Sequence, residues 1–368
     1  MSQKLLYQIA ISMIPGVGGV TAKKLISYCG GVEAVFKEKK HVLQKIPGIG
    51  DHMANAVSGY DLFERAEKEI AFLERNKIRP LFFLDKDYPR RLKHCDDGPV
   101  LLFVKGDVEF NVQKVVSIVG TRSMTDYGKE KCREIVEGLI PHNALVVSGL
   151  AYGVDACAHK TALDNNLQTV GVLGHGLDKI YPPLHQNLAR KIINQGALIT
   201  DFITETKPDR ENFPKRNRII AGICDAVVVI EAAITGGALI TANIANSYNR
   251  DVFALPGRTS DPYSKGCNML IRINKAHLIE KIENLEYIMN WEREENNKAV
   301  QQSLFVELDE EEEKIVALLR NGSEVAFDLI VANSGYTFSK TSALLLNLEF
   351  KGVVKPLPGR VFKLSGNY

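Results

Sequence analysis

The sequence predicts an α/β fold, a doubly wound parallel sheet with helices on both faces, flanked by two smaller modules. Three observations carry that expectation. Between about residues 110 and 290, short apolar runs recur at Val115–Val119, Leu145–Val147, Thr169–Leu173, Ala197–Ile199, Ala226–Ile230, Val252–Leu255 and His277–Ile279. Helical patterns lie between most of them, and continuous apolar strands alternating with helices read as a parallel sheet buried on both sides. Glycine-bearing turns follow nearly every strand, as expected where a ligand meets the carboxyl edge of such a sheet. With 45% hydrophobic and 24% charged residues in 368, the chain can bury a sizeable core and is long enough for two or three domains.

Taken in order, residues 1–70 form a helical module with an internal echo, Ile14-Pro15-Gly16-Val17-Gly18 and Ile46-Pro47-Gly48-Ile49-Gly50. Helical patterns follow each, Thr21 to Tyr28 and His52 to Ser58. Pro-Gly-x-Gly between helices makes a tight hairpin with exposed backbone N–H groups. Two readings fit: a helix-hairpin-helix that holds a DNA phosphate without reading sequence, or a plain αα-turn in a protein-contact module. Residues 71–290 form the core, with Arg79–Phe82 and Leu101–Val104 as a strand-containing lead-in. Residues 291–306 form an acidic linker, and Glu310 to Glu313 suit the start of the next helix. Residues 307–368 show helical patterns at Glu311–Arg320, Glu324–Ala332 and Ser339–Lys351. A hairpin follows, Val353–Lys355 and Val361–Leu364 about the turn Pro358-Gly359. Three helices and a hairpin give the winged-helix order. The third helix is mostly apolar rather than rich in outward Arg, Asn or Gln, which favours protein contact over base readout.

The stretch Asn212-Phe213-Pro214-Lys215-Arg216-Asn217-Arg218 places three cations and an aromatic ring at a helix start, ahead of the strand Ala226–Ile230. Free N–H groups, the positive dipole end and the added cations make an anion trap. The phenyl ring gives a base something to stack on. Other candidate contacts sit in the turns after the strands: Gly120-Thr121-Arg122-Ser123, Gly149 to Asp155 with Gly153, Gly174 to Lys179, and Thr235-Gly236-Gly237. Glycine admits a phosphate to the backbone, and Arg122 offers a bidentate partner.

Other chemistry finds little support. There is no G-x-x-x-x-G-K-[ST], no G-x-G-x-x-G after the first strand of the core, and no H-E-x-x-H or G-x-S-x-G. His159, His175 and His185 lack metal-ligand spacing, so no metal and no cofactor are expected. The six cysteines (Cys29, Cys95, Cys132, Cys157, Cys224, Cys267) contain no C-x-x-C pair and fit a reducing compartment. The chain opens without a basic stretch leading into a long apolar run, and no apolar run reaches membrane-spanning length. The expected location is the cytoplasm, with no membrane partner. A net charge of +2 excludes no function, since nucleic-acid binding needs a local patch.

The core resembles the DNA-processing protein A family (DprA, also called Smf). The matching segments run in order from Ser117–Arg122 through Ser148–Ala156 with Ala158-His159, Gly174–Pro182, Phe213–Gly222, Val228–Ala232, Leu239–Ala242 and Leu255–Gly257 to Gly266–Ile271. The resemblance implies an extended Rossmann-like core, a SAM-like or helix-hairpin-helix module before it and a winged helix after it. It also implies a non-enzymatic protein that binds single-stranded DNA in a basic pocket. The implied contacts are Arg122, Arg210, Phe213, Lys215, Arg216, Asn217 and Arg218. The partners it implies are the RecA recombinase, loaded onto the strand in natural transformation and recombination, and a second copy of the chain through the core. The family usually has Ser-Gly-Ser where this chain has Thr235-Gly236-Gly237. Some members carry a lysine where Pro183 stands, a cation here either absent or supplied by Lys179. The alternative is a nucleotide-processing enzyme resembling nucleoside monophosphate phosphoribohydrolases. Glu231 and Thr235-Gly236-Gly237 are partly similar to that site, but Leu239-Ile240 replace its Gly-Thr.

Overall fold

A computed structural model describes residues 3–59, 62–292, 308–320, 325–357 and 360–364. They fall into two compact units, Met1–Glu294 and Glu295–Tyr368. Most of the linker expected at 291–306 lies outside the described residues, as do Glu324 and the turn Pro358-Gly359.

The first unit is built on one sheet. Its strands are β1 (Arg79–Phe82), β2 (Leu101–Gly106), β3 (Val115–Val119), β4 (Leu145–Ser148), β5 (Thr169–Val172), β6 (Ala197–Thr200), β7 (Ala226–Val229), β8 (Asp251–Ala254) and β9 (His277–Leu278). Their spatial order is β1-β2-β6-β5-β4-β3-β7-β8-β9. From β6 to β9 every pairing is parallel, while β1 and β2 add antiparallel at one edge. Strands β3 to β7 are buried at every residue, which explains their unbroken apolar sequences.

Alternate side chains feed two layers. Val119, Val147, Val172, Val229 and Ala254 pack under the helices Asn212–Gly222 and Gly237–Ser247. Val116, Ile118, Val146, Val228 and Phe253 pack under Asp126–Gly138, Val154–Asp164 and Ile282–Met289. The chain runs from β3 outward to β6 and then returns to place β7 on the other side of β3. This reversal puts the topological switch point between β3 and β7, paired at Val119 and Val229. The crevice beyond those carboxyl ends is where such a sheet receives a ligand.

The N-terminal helices join this unit. Their apolar residues, among them Ile9, Leu25, Val35 and Ile70, share a core cluster with Leu101, Phe103 and Leu198 of the sheet. Both glycine hairpins form, with Gly16 at φ 78° and Gly48 at φ 82°. Their surroundings differ. Lys23, after the first hairpin, donates to the Cys95 and Asp96 carbonyls at 2.8 and 3.2 Å. A Cβ on Gly19 would strike the Gly98 carbonyl, so this helix start is packed on the core. Buried Glu69 adds a tie, accepting from the Thr204 amide at 3.1 Å and from Arg65 at 2.9 Å.

The second unit has helices Glu310–Arg320, Phe327–Ser334 and Phe338–Phe350 and a small sheet of β10 (Val325–Ala326), β11 (Val354–Leu357) and β12 (Val361–Leu364) in the order β10-β12-β11. The acidic run does open its helix: the Asp309 carboxylate accepts from the Glu312 amide at 2.8 Å, and Glu312 accepts from the Asp309 amide at 3.1 Å. One expectation needs correction. The second helix begins at Phe327 rather than Glu324, because Val325 and Ala326 pair with Phe362 and Val361 as a third strand. Short β-branched and small residues beside a helix gave no sign of a partner so distant in sequence.

Candidate nucleic-acid interface

At the switch point, the turn after β3 is held between its neighbours. The Thr121 amide donates to the Glu231 carbonyl at 2.7 Å, and the Val154 amide donates to the Thr121 carbonyl at 3.2 Å. Gly120 is required because a Cβ there would fall on the Val154 side chain. Gly153 is required twice over: its φ is 74°, and a Cβ would strike the Thr121 carbonyl oxygen. The turn therefore projects Arg122 outward from fixed backbone. Its guanidinium lies 5.4 Å from the centre of the Phe213 ring, within cation–π range.

Phe213 stands in the first turn of the helix Asn212–Gly222, half-buried, with the Tyr181 ring 6.3 Å away. Tyr181 and Tyr152 are both 43% exposed and line the same apolar slot as Phe213. The slot adjoins a larger cavity of about 330 Å³, bounded by Gly120, Thr121, Arg122, Phe213, Arg216 and Asn217 on one side. Gly236, Gly237 and Thr241 bound the other. Gly236 is the N-cap of the helix Gly237–Ser247, so a second positive helix end faces the cavity.

The cavity floor carries Arg216, 6% exposed. It donates to the Val172 carbonyl, while its Nε is buried without a hydrogen-bond partner among the described residues. Burial pushes its guanidinium below the ordinary range; Asp155 opposes this and Arg122 adds to it. Arginine nonetheless stays charged at neutral pH. Asp155 is already engaged, accepting from the Ala151 amide at 3.1 Å. Gly149 lies where a Cβ would run into both Arg216 and Asp155, so its role is to leave room for that pair. The result is a buried cation beside an open cavity, compensated in part by one carboxylate. Such a site favours an anion.

Not every residue expected at the site reaches it. Arg218 turns away and pairs with Asp201 at 2.5 Å while donating to the Asp97 carbonyl. Positions 216 and 218 lie about 200° apart around a helix, so only one of them can face the cavity. Lys179 pairs with Asp178 at 3.3 Å. Arg210 and Lys215 are exposed and outside the lining. Ser123 is exposed and faces an adjoining groove. The histidines are structural in kind: His159 is fully buried between Thr169 Oγ1 (2.7 Å) and the Gly149 carbonyl (2.6 Å), and His185 meets the Leu150 carbonyl at 3.0 Å. Sequence reasoning passed over Tyr152 and Tyr181 as ligand-facing groups. The available signal was an aromatic residue inside a glycine-flanked turn at a strand exit.

Comparison with known proteins identifies the family of both units. Residues 79–290 match the family model for DNA recombination-mediator protein A, and residues 304–360 match that for the DprA winged helix domain. A Protein Smf of Synechocystis is 39% identical over 280 residues, covering 74% of this chain and 69% of the relative. A Protein Smf of Escherichia coli is 35% identical, covering 81% and 80%. The crystal structure of DNA processing protein A from Streptococcus pneumoniae superposes with a TM-score of 0.64 at 31% identity, covering 78% of this chain and 98% of that one. DNA processing protein A from Helicobacter pylori, described for its single-stranded DNA binding mode, gives a TM-score of 0.53 at 27% identity, covering 58% and 96%. With its parallel sheet, its switch-point cavity and its winged helix, the chain belongs to the DprA/Smf family of DNA processing proteins.

Proposed function

We propose that this chain binds single-stranded DNA in the switch-point cavity without chemical turnover. It would then hand the strand to a RecA-type recombinase during recombination of incoming DNA. Arg216 is the observation that carries the reading: a buried, under-compensated cation at the floor of a cavity whose rim holds an exposed aromatic cluster. Phosphate would sit against Arg216, Arg122 and the helix start at Gly236-Gly237. A base would stack on Phe213, with Tyr181 beside it. Stacking tolerates any base, which suits a protein that must accept any incoming sequence. The binding described for the H. pylori relative supports the same reading. Pairing of two copies through the core, and work in the cytoplasm, complete the proposal.

The enzymatic alternative would need the Glu231 carboxylate free at the cavity, since Asp155, the carboxylate that lines it, is engaged by the Ala151 amide and faces Arg216. Glu231 is buried and committed, its oxygens accepting from the Thr125 amide at 2.9 Å and the Thr125 hydroxyl at 2.5 Å. It serves as an anchor between β7 and the helix Asp126–Gly138. The test is a titration of the full chain against fluorescent oligo-dT and a duplex of equal length across a salt series. Single-strand preference that fades with salt is the expected result, and equal affinity for both forms, or no binding at micromolar protein and low salt, would remove the proposal. Faster recombinase assembly on strands coated with single-strand binding protein tests the hand-over step.

A further inference from the structure

We infer that the bound strand leaves the cavity across Arg122 and continues along a second groove, between the helices Asp126–Gly138 and Val154–Asp164, where Lys129, Arg133 and Lys160 neutralise its next phosphates. The inference rests on the single-strand reading above and adds a path to it.

The groove has a volume of about 500 Å³. Continuity with the cavity comes from two residues: Arg122 and Tyr152 line both the aromatic slot and the groove. A strand stacked on Phe213 would therefore meet Tyr152 as a further stacking surface on its way out. The charge is one-sided, with Arg122, Lys129, Arg133 and Lys160 set against the single carboxylate of Asp164. All four cations are exposed, and none is held in an ion pair among the described residues. Lys131 on the same helix, by contrast, is paired with Glu134 at 2.6 Å. Lys129 and Arg133 are one turn apart on the same face of their helix, so both can reach one strand lying in the groove. The groove also has a boundary. Asp126, Glu130, Glu134 and Glu137 line an adjoining concavity with Lys129 and Arg133. That acidic wall repels phosphate and turns the strand toward Lys160, so the track holds only a few extra nucleotides.

The test uses the full chain and two fluorescent probes, oligo-dT of about four and about fifteen nucleotides, each titrated across a salt series. The triple variant Lys129→Gln, Arg133→Gln, Lys160→Gln should bind the short probe as the wild type does. It should bind the long probe tenfold or more weakly at low salt, with a salt slope shallower by about two, from roughly 0.7 per phosphate contact. These side chains are exposed, so the melting temperature should stay unchanged. As a second readout, Cys157 lines the groove, so the long probe should slow its alkylation and the short probe should not. If the variant binds both probes as the wild type does, or loses both equally, the groove path is overturned. Phe213→Ala separates the two claims. Its weakening of both probes beside an unaffected triple variant would leave the cavity standing and the groove refuted. Wild-type protein that binds neither probe would overturn both.

Discussion

Two arginines two positions apart in one helix show how far residue type alone can be read. The basic cluster at 215–218 pointed to an anion site, and of its cations Arg216 is the one that lines the switch-point cavity. Arg218 instead ties the helix to Asp201 and to the turn at Asp97. The sequence showed the charge but not the helical phase, because the helix start at Asn212 has no side-chain cap to fix it. The division is testable. Arg218→Met should lower stability by about 1–3 kcal/mol, the range for losing a hydrogen-bonded charge that leaves a partly buried partner behind. Its affinity for oligo-dT, measured where the variant is fully folded, should match the wild type; a tenfold loss would place Arg218 at the ligand. Phe213 and Arg122 separate by salt. Phe213→Ala should cost roughly 1–3 kcal/mol of binding with an unchanged slope. Arg122→Ala should flatten the slope by about 0.7. Identical slopes for Arg122→Ala and wild type would deny it a phosphate.

At the scale of elements, strands β3 to β8 were legible because burial on both faces leaves unbroken apolar runs. The two-residue β10 was not, since nothing local distinguishes it from a helix start. The paired glycine hairpins were equally legible and equally ambiguous: their sequences are nearly the same, yet the helix that follows the first starts against Gly98 at Gly19, whereas Gly50 after the second stands in open space. Only tertiary context could tell them apart. Glycine turns at the sheet edge divide in the same way. Gly153 joins the turn after β4 to the one after β3, with φ 74° and no room for a Cβ. Gly153→Ala should cost at least about 1–3 kcal/mol in thermal or urea unfolding. It should also weaken DNA binding, because the Arg122 turn loses its support; unchanged unfolding would show that the turn can relax. Between the two helices beyond that turn, the neighbouring Cys132 thiol holds the Cys157 thiol below the ordinary range. The Cys29, Cys95, Cys132, Cys224 and Cys267 thiols are all pushed up, with burial the leading cause except at Cys132, where bonding to Cys157 leads. Cys29 is the more accessible thiol, but among the buried cysteines Cys157 alone lines a groove, so mass spectrometry after brief maleimide treatment at pH 7.5 should find Cys157 modified before Cys95, Cys132, Cys224 and Cys267. Earlier modification of any of those four would contradict the pairing.

The whole molecule divides its work between units that carry separate cores. Core clusters built on β1 to β8 and the N-terminal helices contain residues only from the first unit. Ile315, Leu319, Ile330, Leu345 and Leu348 form an independent cluster in the second. Cavity, aromatic slot and groove all lie within the first unit. The outward face of the helix Phe338–Phe350 shows Leu346 and Phe350, 50% and 81% exposed, with Asn347 its one amide side chain. Lys340 is drawn to Glu311 and Tyr336. That face lacks the charge expected of a groove reader and has the composition of a contact for another protein. A chain ending at residue 294 should therefore fold and melt cooperatively near the full protein's main transition. Its affinity for oligo-dT should stay within about twofold of the full chain, since every described residue that lines the cavity belongs to the first unit. The same truncation should reduce whatever the winged helix docks onto, so that strand binding survives while a partner-dependent step is lost. Loss of oligo-dT affinity on truncation, with folding intact, would instead show that the second unit contributes phosphate contacts of its own, and the apolar helix face would need another explanation.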